Sequence, residues 1–255
     1  MPRIAHSIGT TLMATVPAAR TASAPVVQCV LDEERAALAD VHHTTQDPLL
    51  RNIVGEAIGL NGVDFQSGDD PEKAHAARVN QNDRTQHEVN LDPQQLTEPL
   101  TRQSHLLHEL IHVSADRRYN ANAGGDRDPA LTAVVDPGQT IAEQDKEIGR
   151  QSKHRYGLAE SLHDGVDDDD AVGDDIKALV KDRASRAMGH PHRELDSVSS
   201  ELYYEFHRRG VDQTSHTFAK VKALAHGTYR SRNEGVPLDQ VYEEPQRPGK
   251  CCVVQ

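Results

Sequence analysis

Tryptophan is absent from the 255 residues, phenylalanine occurs 3 times and tyrosine 6 times. The large rings that usually dominate burial are scarce, so Leu, Val, Ile and Ala must fill a modest interior. Cysteine is nearly missing: only Cys29, Cys251 and Cys252 occur. That is no disulfide framework, and it fits a reducing compartment. Mean hydropathy is −0.67, and no apolar run approaches the roughly 20 residues of a spanning helix. Basic residues are in deficit, with 28 Lys+Arg against 40 Asp+Glu and a net charge of −12. A general nucleic-acid binder is excluded, because phosphate binding needs a basic surface.

What is present divides the chain into three parts. Residues 1–30 are expected to be a disordered targeting segment, because the first 28 carry no acid and are rich in Ala, Ser, Thr, Pro and Arg. That composition has no long apolar run of a Sec signal, but it fits a mitochondrial transit peptide or the N-terminal address of a type III secreted protein. Residues 31–230 should form the folded domain, and residues 231–255 a polar, Pro-containing tail. Within the domain, residues 31–43 read as a helix. Asp47-Pro48 opens a second, with Leu49, Leu50, Ile53, Val54, Ala57 and Ile58 at helical spacing. Residues 63–65 and 87–91 read as strands, with 67–86 between them a loop. Further helices are expected over 99–116, 140–151, 174–188, 193–208 and 216–226. The seven aspartates within 163–175 read as a solvated loop, since the EF-hand order with its closing Glu is missing.

The chemistry concentrates in His108-Glu109-Leu110-Ile111-His112. On a helix, residues four apart share a face, so two imidazoles can grip one Zn²⁺. Glu109 between them can then act as general base on the attacking water. Leu106, Leu107, Leu110 and Ile111 place this motif on a buried helix. The metzincin extension would need Gly and His where Ala115 and Arg118 stand, so that form is excluded. The alternative third ligand is a Glu from another helix. Glu143 and Glu147, one turn apart in the next acidic helix, are the candidates. The oxyanion developing at the attacked carbonyl also needs an electrophile. Tyr156 is the first choice, with Arg155, Tyr203 and Tyr204 as others, and His105 is placed to support the zinc histidines.

These residues resemble the NleD-type effector metalloproteases, which Gram-negative pathogens inject into host cells. That family is similar at its active site to clostridial neurotoxin light chains. The similarity runs over about residues 46–165. It rests on HELIH, on Glu143 followed at Gly149 by the family's glycine, on Lys153-His154-Arg155-Tyr156, on Glu160, and on the strand-like HEVNLDP before the motif. Gln144 stands where the family has a second acid. The resemblance implies an α+β, zincin-like metalloprotease domain, mainly helical, with a small sheet beside the HExxH helix. It also implies a Zn²⁺ cofactor, a host protein substrate and host signalling kinases as targets.

The last four residues, Cys252-Val253-Val254-Gln255, form a C-a-a-X box whose Gln points to farnesyl. Cys251 could take a palmitoyl chain as the second anchor that stable attachment needs. The expected partners are then a host prenyltransferase and a host membrane reached through the lipid. Two rivals follow from the same residues. One is a non-enzymatic, membrane-tethered interaction protein without metal. The other is a mitochondrial zinc protease directed by the N-terminal segment.

Overall fold

The computed structural model describes residues 24–67, 75–80, 83–91, 97–119 and 140–246. Helix α1 (Ala24–Thr44) packs on α2 (Pro48–Ile58). The Asp47 carboxylate caps α2 by accepting from Leu50 N at 2.8 Å, and Pro48 occupies the first turn, where its missing N–H costs nothing. Leu50, Ile53, Val54 and Ala57 form the buried face.

Strands β1 (Val63–Ser67), β2 (His75–Asn80) and β3 (Asp83–Leu91) make one sheet in the order β1-β3-β2. The β1–β3 pair is parallel with Phe65 opposite Val89, and β2–β3 is antiparallel. Gly62 turns the chain into β1 at φ 67°, where a Cβ would collide with the Thr85 carbonyl. The expected loop over 67–86 therefore contains β2 and the start of β3. HAARVN lacks alternating apolar residues, so backbone pairing rather than pattern makes it a strand.

Helix α3 (Pro99–Tyr119) carries HELIH and packs against the sheet, α1 and α2. Helix α4 (Ile141–Gly165) is one long element, where residues 140–151 were expected. It starts at a capping box in which Thr140 and Glu143 satisfy each other's backbone N–H. It continues past 151 because Leu158, Ala159 and Leu162 keep a buried stripe. Helix α5 (Asp174–Gly189) meets α6 (Pro191–Arg209) with only His190 between them, and α7 (His216–Glu234) follows. In the acidic run, Asp169 is buried and accepts from Thr217 N at 2.7 Å, so it helps start α7. Helix α8 (Leu238–Val241) buries Leu238 and Val241, so packed chain continues past the expected boundary at 230. Residues 24–30, assigned from sequence to the N-terminal segment, lie within α1. The rest of that segment, 1–23, lies outside the described residues, as do 247–255.

The architecture is mainly helical with a small sheet beside α3, an α+β arrangement. Its centre is α6, which touches α3, α4, α5 and α7 and buries every residue from Leu195 to Phe206. A helix surrounded on all sides is normally apolar. This one carries Asp196, Ser197, Ser199, Ser200, Glu201 and Glu205 in its buried stretch. Buried polar groups are expensive without partners, and here Asp196, Ser199, Glu201 and Glu205 find them on neighbouring helices. Asp196 takes Arg155 of α4 at 2.5 Å and Arg232 of α7 at 3.5 Å. Ser199 pairs with Thr228 at 2.9 Å.

Candidate metal centre

Helices α3 and α6 meet along a polar ladder. Ser104, His108 and His112 follow one another at four-residue steps on one face of α3. Opposite them stand Glu205, Glu201 and Glu194 of α6. Ser104 Oγ donates to Glu205 Oε1 at 2.9 Å, and His108 Nδ1 lies 2.9 Å from Glu201 Oε2. His112 Nε2 lies 3.5 Å from Glu194 Oε1, while His108 Nε2 lies 3.2 Å from Glu194 Oε2. Early residues of α3 meet late residues of α6, so the two helices run antiparallel.

At the open end of this ladder three donor groups converge. The Nε2 atoms of His108 and His112 are 3.1 Å apart, and Glu194 faces both. Ligand atoms of His108, His112 and Glu194 all lie within 4.8 Å of one another, so the group could hold a metal ion. His108 is buried and the other two are half-buried. Two ring nitrogens this close, aimed at each other beside a carboxylate, need a cation or shared protons between them. Burial pushes the His108 imidazole down, but the hydrogen bonds to Glu194 and Glu201 overcome it and raise its pKa to about 10. Burial likewise works against the Glu194 carboxylate, and its two histidine partners still hold it well below the usual range.

Glu109 follows His108 on α3, and its charge favours the protonated form of that imidazole. Glu109 is 5 % exposed, and its Oε2 has no hydrogen-bond partner. A buried carboxylate oxygen without a donor costs free energy unless something polar enters the site.

The third carboxylate is not one of those expected from sequence. Glu143 is exposed and tied to Thr140 in the capping box, accepting from Thr140 N at 2.9 Å. Glu147 is held by Arg150 at 2.6 Å and Gln151 at 2.9 Å within its own helix. Both belong to the surface of α4, and Glu194 takes the place beside the histidines. Glu194 and Glu201 were missed because HRELDSVSSELYYEFHRR reads as a polar surface helix. The available signal is their seven-residue spacing, which puts both on one face beside Leu195, Val198 and Leu202.

The electrophile candidates are dispersed. Tyr156 stands on the solvent side of α4, 41 % exposed. Arg155 turns inward to Asp196. The Tyr203 hydroxyl donates to Asp47 at 2.9 Å, and that of Tyr204 to Gln103 at 2.7 Å. His105 does lie at the edge of the centre, with Nε2 4.0 Å from Glu201 Oε1. Cys251 and Cys252 lie outside the described residues. Among the described residues no helix is long and apolar enough to cross a membrane. Comparison with protein-family models, with characterised proteins and with solved structures gives no match to this chain.

Proposed function

We propose that this chain is a zinc-dependent endopeptidase of zincin-like arrangement, with Zn²⁺ held by His108, His112 and Glu194 and with Glu109 as general base. The observation that carries the reading is the triangle of donor atoms. Ligands about 2.0–2.2 Å from a tetrahedral zinc sit about 3.3–3.6 Å apart. The two ring nitrogens here are 3.1 Å apart, Glu194 Oε2 is 3.2 Å from that of His108 and Oε1 3.5 Å from that of His112, and one donor atom from each residue lies within 4.8 Å of the others. Three protein ligands leave a fourth position open, as catalytic zinc sites do. Charge supports the same reading, since Arg183 and Arg186 already face Glu201 and a cation between the histidines would face Glu194.

When bound, zinc supplies a Lewis acid that polarises a peptide carbonyl and makes water acidic enough to lose a proton near neutral pH. The protein does the rest. Glu109 Oε2, buried and unpartnered, would take a proton from the water that attacks the carbonyl carbon and would pass it to the leaving nitrogen as the C–N bond breaks. His108, His112 and Glu194 would hold the metal in place.

Of the NleD-type resemblance, this reading uses HELIH alone. A host protein as substrate therefore remains a proposal resting on that motif. The test is zinc per chain by elemental analysis, followed by cleavage of a denatured proteome digest read by mass spectrometry. About one zinc in the wild type, none in His112→Ala or Glu194→Ala, and new peptide termini that vanish in Glu109→Gln support the reading.

A second reading has its own observation. The raised pKa of His108 between two carboxylates describes a self-sufficient ion cluster that needs no metal. A non-enzymatic chain built this way would hold no zinc after reconstitution, and Glu109→Gln would change nothing.

A further inference from the structure

The strongest feature outside the three ligands is the carboxylate behind His108. Glu201 is fully buried, and its Oε2 lies 2.9 Å from His108 Nδ1. Its other oxygen, Oε1, has Arg183 Nε of α5 at 2.9 Å. Arg186, also from α5, lies 3.8 Å from Oε2. Arg183 is in turn 3.7 Å from Glu205, the next rung of the ladder. A carboxylate sealed from water is costly alone, and two arginines from one helix offset that cost here. Leu195, Val198 and Leu202 are buried on the same side of α6, so Glu201 is a charged residue beside an apolar stripe.

We infer that Glu201 is a positioning residue for the metal centre: it accepts the Nδ1 proton of His108, so that the Nε2 lone pair faces the cation, and Arg183 holds Glu201 in place. The inference rests on the zinc reading above. A carboxylate on the far nitrogen fixes both the tautomer and the ring angle of a ligating histidine and makes it a stronger donor. The α5–α6 pair then supplies one ligand and also the support of another. Glu194 comes from its first turns and Glu201 from two turns further on, while Arg183 comes from the helix before. Only His190 separates the two helices, so Glu194, Glu201 and Arg183 all sit on one helix pair, and Glu194 and Glu201 face α3 from it.

The test is zinc affinity of the full chain, by competition with a chelating fluorophore, in the wild type and in Glu201→Gln. Glutamine keeps the size and the acceptor oxygen but loses the charge. The expected result is about 10- to 100-fold weaker zinc binding. If Glu201→Gln does not fold, the double variant Glu201→Met, Arg183→Met removes both charges and keeps the packing, and it is expected to weaken zinc binding by a similar factor. Zinc affinity equal to wild type in the folded variant overturns the inference. A second measurement needs no substitution. In zinc-loaded protein with ¹⁵N-labelled histidine, His108 should show a proton on Nδ1 and the metal-induced shift on Nε2. A shift on Nδ1 overturns the inference. A wild-type chain that binds no zinc overturns the endopeptidase reading and this inference with it. A wild type that binds zinc, with a variant that binds equally well, overturns the positioning role alone.

Discussion

Two helices of this protein carry acids that resemble one another in sequence and differ in use. On α4, Glu143 and Glu147 find every partner within four residues of themselves, at the surface. On α6, Glu194 and Glu201 find their partners about ninety residues away, on α3, and Glu201 adds the two arginines of α5. A carboxylate satisfied locally can stay where its helix leaves it, in water. A carboxylate that the fold buries must be met by a cation, a donor or a metal. The difference separates acids that finish a helix from acids that build a site.

The largest effects should fall on the α6 side. Glu194→Ala or His112→Ala should abolish stoichiometric zinc, whereas Glu143→Gln and Glu147→Gln should leave it at wild-type level. Elemental analysis of the four purified variants reads the contrast, and zinc lost from Glu147→Gln would invert it. Glu109→Gln should keep zinc while slowing cleavage by about 10²–10⁴-fold, the contribution usual for a general base. A zinc assay and a cleavage assay on the same sample check both halves.

Buried acids elsewhere sharpen the comparison through stability. Arg232 Nε and Nη2 contact the Glu56 carboxylate at 2.8 and 2.9 Å, and Arg232 is fully buried. Arg232→Met should cost about 3–5 kcal/mol in urea denaturation, because it strands a buried carboxylate. Glu56 also predicts a pH dependence. Burial raises its pKa, but pairing with Arg232 and the Ser114 hydrogen bond more than offset that and leave it below 4.5. A depressed folded pKa means that the unfolded chain binds the proton more readily, so stability is lost as pH falls. This contribution should be complete above about pH 4.5 and decline below it, and Glu56→Gln should flatten that limb of the urea-midpoint profile. The smallest effect is expected at Glu143→Ala, which removes the reciprocal half of the α4 capping box. Amide exchange should rise only in the first turn of α4, with zinc unchanged.

HELIH was legible because a helix converts four-residue spacing into a shared face without help from the rest of the chain. The same local logic located α2, capped by Asp47, and the strands around Phe65 and Val89. It did not reach β2, whose pairing with β3 joins residues that carry no apolar pattern. It also looked to α4 for the third carboxylate, whereas the one beside the two histidines comes from α6. Glu143 follows the motif at a plausible distance and lies in an acidic helix, and these are features of sequence alone. Glu194 lies 82 residues after His112, in a helix that no local spacing links to the motif.

By itself the sequence determined the two histidines, the glutamate between them and the scarcity of large aromatic rings. These depend on residue identity and on periodicities that any helix obeys. The third carboxylate, its supporting Glu201 and the burial of a polar α6 were decided only by tertiary structure. Which acid meets His108 and His112 depends on how α3 and α6 pack antiparallel, and that register is set by contacts between residues about ninety positions apart. Local spacing carries no record of it.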